Sequence, residues 1–156
     1  MTPRGQAGYE PWELEAREAI RDLVARYNAN GDSGRFPQVL ELFTPEAVMH
    51  IPSGSHRGLA EIEAMFTNAA RKTGDRSADP GAAAAFIRHF TATLQIDLAG
   101  PDDATSRCYY QVLTDRGLDH WGRYIDTYRR LDGRWLFAER TVTVDGRVRG
   151  GWGDQG

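Results

Sequence analysis

HWGRYIDTYRRLDGRWLFAERTVTV, residues His120–Val144, is the stretch that decides the fold. Two runs rich in aromatic and β-branched residues, His120–Leu131 and Arg134–Val144, flank Asp132-Gly133. Asp-Gly tolerates the positive φ angles of a two-residue turn, so the stretch predicts a β-hairpin. Residues two apart on a strand share one face of the sheet. In the first arm His120, Gly122, Tyr124, Asp126 and Tyr128 therefore share one phase, and Trp121, Arg123, Ile125, Thr127 and Arg129 the other. The first set mixes polar and aromatic groups, which suits a pocket wall. His120 fits either that wall or an exposed strand start. Asp126 fits either a pocket acid or half of an ion pair with a neighbouring arginine.

Working upstream, Ala104–Thr114 and Phe86–Leu98 read as two more strands, joined by the turn formers Gly100-Pro101-Asp102-Asp103. Phe90, Ala92, Leu94, Ile96 and Leu98 form one phase; His89, Thr91, Thr93, Gln95 and Asp97 form the other, a wet or subunit-facing side. Before these strands the period changes. From Trp12 apolar residues recur at helical steps (Ala16, Ala19, Ile20, Leu23, Val24, Tyr27), with Asn30-Gly31 as the expected stop. A short helix is expected over Phe36–Phe43, with Pro37 in its first turn. Asp32 lies where it could cap that helix. A strand follows at Ala47–Ile51, closed by Pro52-Ser53-Gly54, then a third helix after Gly58 carrying Ile62, Met65, Phe66 and Ala69 on one stripe. Residues 71–81 read as a loop and a lid. Three helices followed by an antiparallel meander make an α+β fold, a curved sheet over helices with one end open as a pocket. The expected organisation is an arm at 1–11, one domain at 12–146 and a tail at 147–156.

The chain has 156 residues and a formal net charge of −3, enough for one core and giving no field that gathers nucleic acid. Cys108 is the single cysteine, which excludes an intrachain disulfide and a cysteine metal cluster. His50 and His56 flank a turn without a carboxylate in register, so no metal is expected. The first residues, MTPRGQAGYEP, lack the apolar core of a signal peptide, and no run approaches the ~20 apolar residues of a membrane span. A cytoplasmic protein with no membrane contact is expected.

Three stretches resemble SnoaL-like proteins of the NTF2-like superfamily: YNANGDSGRFPQVLELFTPEAV (Tyr27–Val48), RHFTATLQID (Arg88–Asp97) and GRYIDTYRRLDGRWLFAER (Gly122–Arg140). The resemblance implies a cone-shaped barrel with three N-terminal helices on a mixed, mostly antiparallel sheet. It also implies a homodimer formed by back-to-back sheets. Within the superfamily the pattern is similar to that of scytalone dehydratase and the bile-acid 7α-dehydratases, which use a helix Tyr, a following Asp and a strand His. The matching positions are Tyr27, Asp32 and His89. The resemblance places His89 in the pocket, re-aimed by a bulge. Tyr124 falls where scytalone dehydratase has a pocket asparagine, whereas Ile51 stands where it has a tyrosine. Phe43, Met49, Phe66 and Trp121 are expected as lining residues, or as core.

A histidine oriented by a carboxylate can remove a C–H proton and return one to a leaving group, without a cofactor. The first reading is therefore a dehydratase- or isomerase-type enzyme for a hydrophobic polyketide-, terpenoid- or steroid-like substrate, with His89 as base, Asp32 as orienter and Tyr27 positioning the substrate. The alternatives are a natural-product cyclase that works by folding its substrate in a shaped pocket, and a non-catalytic ligand-binding module.

Overall fold

The computed structural model describes residues 8–77 and 86–152, with the backbone alone at 73–77. Its elements are α1 (Pro11–Asp32), α2 (Phe36–Leu40), β1 (Phe43–Ile51), β2 (Gly54–Arg57), α3 (Gly58–Ser77), β3 (Ile87–Leu98), β4 (Asp103–Thr114), β5 (Gly117–Leu131) and β6 (Arg134–Arg147). The Asp-Gly hairpin forms as its chemistry requires, with φ of +50° at Asp132 and +78° at Gly133. The six strands form one sheet in the order β2-β1-β6-β5-β4-β3. Only β1 with β6 is parallel. The sheet is open, with β2 and β3 at its edges. Helix α1 packs on both β3 and β6, which β4 and β5 separate, so the sheet curves round the helix. This is the expected α+β architecture.

Helix α1 begins with Pro11 at its first turn, where a missing N–H costs nothing, and the Glu13 carboxylate accepts the Glu10 N–H at 2.8 Å. Its buried stripe is Ala16, Ile20, Leu23, Val24, Tyr27 and Asn28. The helix runs through Asn30-Gly31 and ends two residues later than the sequence suggested. Gly34, at φ +70°, is the left-handed residue that ends it. Asp32 therefore sits in the last turn and does not cap α2, whose N-cap is Arg35. Helix α2 is shorter than expected because the sheet captures the chain: Phe137 N–H donates to Leu42 C=O at 2.8 Å and β1 starts at Phe43. Helix α3 continues to Ser77, so the first seven residues of the stretch read as a loop are helical. Residues 78–81 of that stretch lie outside the described residues.

One irregularity matters for function. Ala92 pairs with Tyr109 but Gln95 pairs with Arg107, so β3 carries one extra residue at a bulge. Thr93 takes φ +57° there, a costly angle for a β-branched residue. The bulge reverses the alternation. Ile96 and Leu98 face inward beyond it, and His89 faces inward before it, across from the buried Val112.

The core joins Ile20, Val24, Val39, Ile62, Val112 and Phe137, all essentially without exposure. Cys108 is buried, and that burial pushes its thiol up to about 11. Burial likewise raises the phenols of Tyr27, Tyr124 and Tyr128. In the unfolded chain the three phenols ionise at about 10, so above that pH the unfolded state binds fewer protons and stability falls as pH rises. Urea midpoints should drop steeply above about pH 10, with tyrosinate absorbance from these residues appearing only on unfolding. A midpoint that stays flat there would contradict the buried placement. No helix among the described residues is long and apolar enough to cross a membrane.

Candidate active site

Asp32, in the last turn of α1, reaches across to the start of β3. Its Oδ1 lies 2.6 Å from His89 Nδ1, and its Oδ2 accepts the His89 backbone N–H at 2.9 Å. Both carboxylate oxygens are thus committed to one residue. A carboxylate can only accept, so the proton between them sits on Nδ1; in the neutral imidazole Nε2 then carries the lone pair. The Asp32 side chain is 9% exposed and that of His89 20%, which places the pair at a wall reachable from outside.

That wall borders a cavity of about 480 Å³, lined also by Tyr27, Asn28, Phe36, Phe66, Phe86, Ile87 and Trp152. Phe36 and Phe66 stack at 5.6 Å along one side. The cavity is largely apolar with a few polar groups, the usual make-up of a small-molecule site. Asn28 Nδ2 and Trp152 Nε1, on residues of this wall, are buried with no hydrogen-bond partner among the described residues. Such donors are rare in folded proteins. The cavity brings together Tyr27, Asp32, His89 and Phe66. The Tyr27 hydroxyl itself lies 3.9 Å from Met49 Sδ, behind the wall.

Other expected lining residues fall elsewhere. Phe43, Met49 and Tyr124 belong to the core behind Tyr27, which meets Phe43 and Tyr124 edge-on at 6.1 Å. Trp121 is on the opposite face of the sheet, because the odd-numbered residues of mid-β5 point away from the helices. His120 pairs with Asp119, Nδ1 to Oδ2 at 2.7 Å, and contacts Trp152 at 5.7 Å between ring centroids. His50 bridges Ser55 and Glu139 at 2.6 and 2.5 Å, and no group of three metal-ligating side chains occurs among the described residues.

Asp126 resolves as half of an ion pair. Its two oxygens accept Arg140 Nε at 2.8 Å and Nη2 at 2.9 Å, and neither side chain is exposed. Burial opposes the arginine's charge, but the Asp126 carboxylate outweighs it and holds the guanidinium's pKa well above its ordinary value. The guanidinium lies 4.1 Å from the ring of Tyr27, 4.0 Å from Tyr124 and 4.4 Å from Phe137. Burial pushes the Tyr27 phenol up and Arg140 pulls the other way. The ion pair is one of the two roles sequence reading gave Asp126; the complete burial of its cation was not foreseen. The only signal was the cross-strand proximity of an Asp and an Arg in one hairpin.

Residues 12–141 match the SnoaL-like domain family. Among solved structures, an NTF2-like protein with a cystatin-like fold from Novosphingobium aromaticivorans is 27% identical, with a TM-score of 0.68 over 86% of each chain. A protein assigned as a scytalone dehydratase from the same organism is 19% identical, with a TM-score of 0.70 over 90% of this chain and 93% of that one. A hexachlorocyclohexane dehydrochlorinase, LinA type 2, is 17% identical, with a TM-score of 0.72 over 89% of this chain and 93% of that one. No curated protein sequence matches.

Proposed function

We propose, for a chain that belongs to the SnoaL-like domain family, a cofactor-independent enzyme that removes a proton from carbon in a small apolar, oxygenated substrate. The observation that carries this reading is the Asp32–His89 pair at the wall of an aromatic cavity. His89 Nε2 takes the proton, Asp32 holds the resulting imidazolium, and the same proton can return to a departing hydroxyl or to another carbon. The first outcome is a dehydration and the second an isomerisation. Two fold neighbours bear names that denote elimination, a dehydratase and a dehydrochlorinase, which favours the first. Tyr27 positions the substrate body through its ring.

Proton abstraction can be tested before the natural substrate is identified. Deuterium exchange into the α-CH of beta-tetralone, followed by NMR, should be accelerated by the wild-type protein and not by His89→Ala. Equal exchange by both would refute His89 as the base and turn attention to a cyclase that works by cavity shape.

We also propose a homodimer through the outer sheet face. Phe90, Tyr109, Trp121 and Ile125 are all exposed there, the first three around a groove of about 330 Å³. Apolar patches of this kind mark interaction surfaces, and a two-fold axis would cover the same patch on both copies. Sedimentation equilibrium should give a dimer that Tyr109→Glu with Trp121→Glu converts to monomer. A monomeric wild type at micromolar concentration would rule the interface out.

A further inference from the structure

We propose that Trp152 is the specificity-determining wall of the cavity and that Asp119 is the residue that positions it, an inference that rests on the cavity being the substrate site argued above. The argument begins at a second bulge. Leu113 pairs with Leu118 but Val112 with His120, so Asp119 is an extra residue in β5. The bulge turns both Asp119 and His120 into the protein, where Asp119 is only 3% exposed. A buried carboxylate must be held by donors. One of its oxygens faces His120 Nδ1; the other accepts the Trp152 backbone N–H at 2.5 Å. The Asp119 carbonyl accepts the Val148 N–H at 2.8 Å, and Gly151 N–H closes a turn on Val148 C=O at 3.1 Å. The segment beyond β6 is thereby folded back toward β5.

The glycines before Trp152 are required by this path. Gly150 sits at φ +74°. A Cβ on Gly151 would lie 2.6 Å from Asp119 Oδ1, closer than real side-chain carbons approach, and a tight 3.0 Å from Val148 C=O. The result of this latch is an indole seated against the His120 ring and lining the same cavity as Asp32, His89 and Phe66. The Asp119–His120 pair looks like a second acid–base dyad, but its carboxylate is committed to the Trp152 backbone. It serves the wall and not the reaction. Strand and helix fix most of the cavity, whereas this side is supplied by a short segment held through Asp119. The size of guest admitted is therefore set by Trp152.

The test uses the full chain and two neutral ketones as probes: prodan, a flat fluorescent naphthyl ketone, and a four-ring steroid ketone. Trp152→Ala should weaken prodan about tenfold, the scale of one aromatic contact. Gly151→Ala, which displaces the indole without removing it, should do the same. Trp152→Phe should stay within about threefold of wild type, because it restores an aromatic wall. The steroid ketone should bind Trp152→Ala more tightly than wild type, an inversion that simple loss of structure would not produce. Unchanged thermal midpoints would accompany these shifts. Equal affinities of wild type and Trp152→Ala for both probes would overturn the proposal, as would a wild type that binds neither. Probe binding needs no turnover, so loss of α-proton exchange with these affinities intact would remove the acid–base reading alone.

Discussion

Asp32→Asn is expected to lower proton abstraction by about 10²–10⁴-fold, close to the loss from His89→Ala, although it changes one atom. His89 presents two donors to Asp32, its backbone N–H and its Nδ1–H, and the carboxylate accepts both. Asparagine offers one acceptor and one donor group. The backbone N–H cannot become an acceptor, so the amide oxygen must serve it and the NH₂ must face Nδ1. The imidazole then answers by moving its proton to Nε2, the atom meant to receive the substrate's proton. The wrong tautomer disables the base without disturbing the cavity. Nitrogen chemical shifts of His89 should show the proton on Nδ1 in the wild type and on Nε2 in the variant. Full exchange activity in Asp32→Asn, with the tautomer unchanged, would show that the carboxylate only ties α1 to β3.

Much of this fold can be read from local chemistry. The helical stripe from Ala16 to Tyr27 and the Asp132-Gly133 turn are each dictated by a few adjacent residues. What escapes sequence reading is long-range. Helix α1 passes Gly31, at a cost near 1 kcal/mol, because Asp32 is bound to β3 fifty-seven residues away. Bulges hide more, since a one-residue slip flips every side chain beyond it. Unbroken pairing from Leu131–Arg134 and Tyr128–Phe137 would set Asp126 opposite Glu139. An extra residue at Ala138 sets it opposite Arg140 instead, and the buried pair results. The bulges at Thr93 and Asp119 likewise turn His89 and Asp119 inward. None of these three positions carries the glycine that would announce an irregular strand. The grouping of Tyr27, Asp32 and His89 came from family resemblance, since their own spacing and phase left core, cap and outer face open.

Asp126→Ala should be the most destabilising single change in the molecule, by about 3–5 kcal/mol. The substitution removes both acceptors of the Arg140 guanidinium, which is wholly buried and has one further nitrogen, Nη1, without a partner among the described residues. The three aromatic rings around it stabilise a cation through their faces, but each such contact is worth only about 0.5–2 kcal/mol. They cannot replace a bidentate carboxylate. For a chain of this size the deficit corresponds to a fall of roughly 10 °C in Tm. Pairing Asp126→Leu with Arg140→Met should recover most of that loss, because apolar replacement of a buried ion pair is often neutral or favourable. The double variant then separates stability from function. The Arg140 charge lies against the faces of Tyr27 and Tyr124, directly behind the cavity. If that charge helps hold the Tyr27 ring for the substrate, the stable double variant should still bind ketones more weakly than wild type. Wild-type affinity in that variant would make the pair an element of folding alone. An Asp126→Ala protein that melts with the wild type would mean that Arg140 leaves the interior, and the ion pair with it.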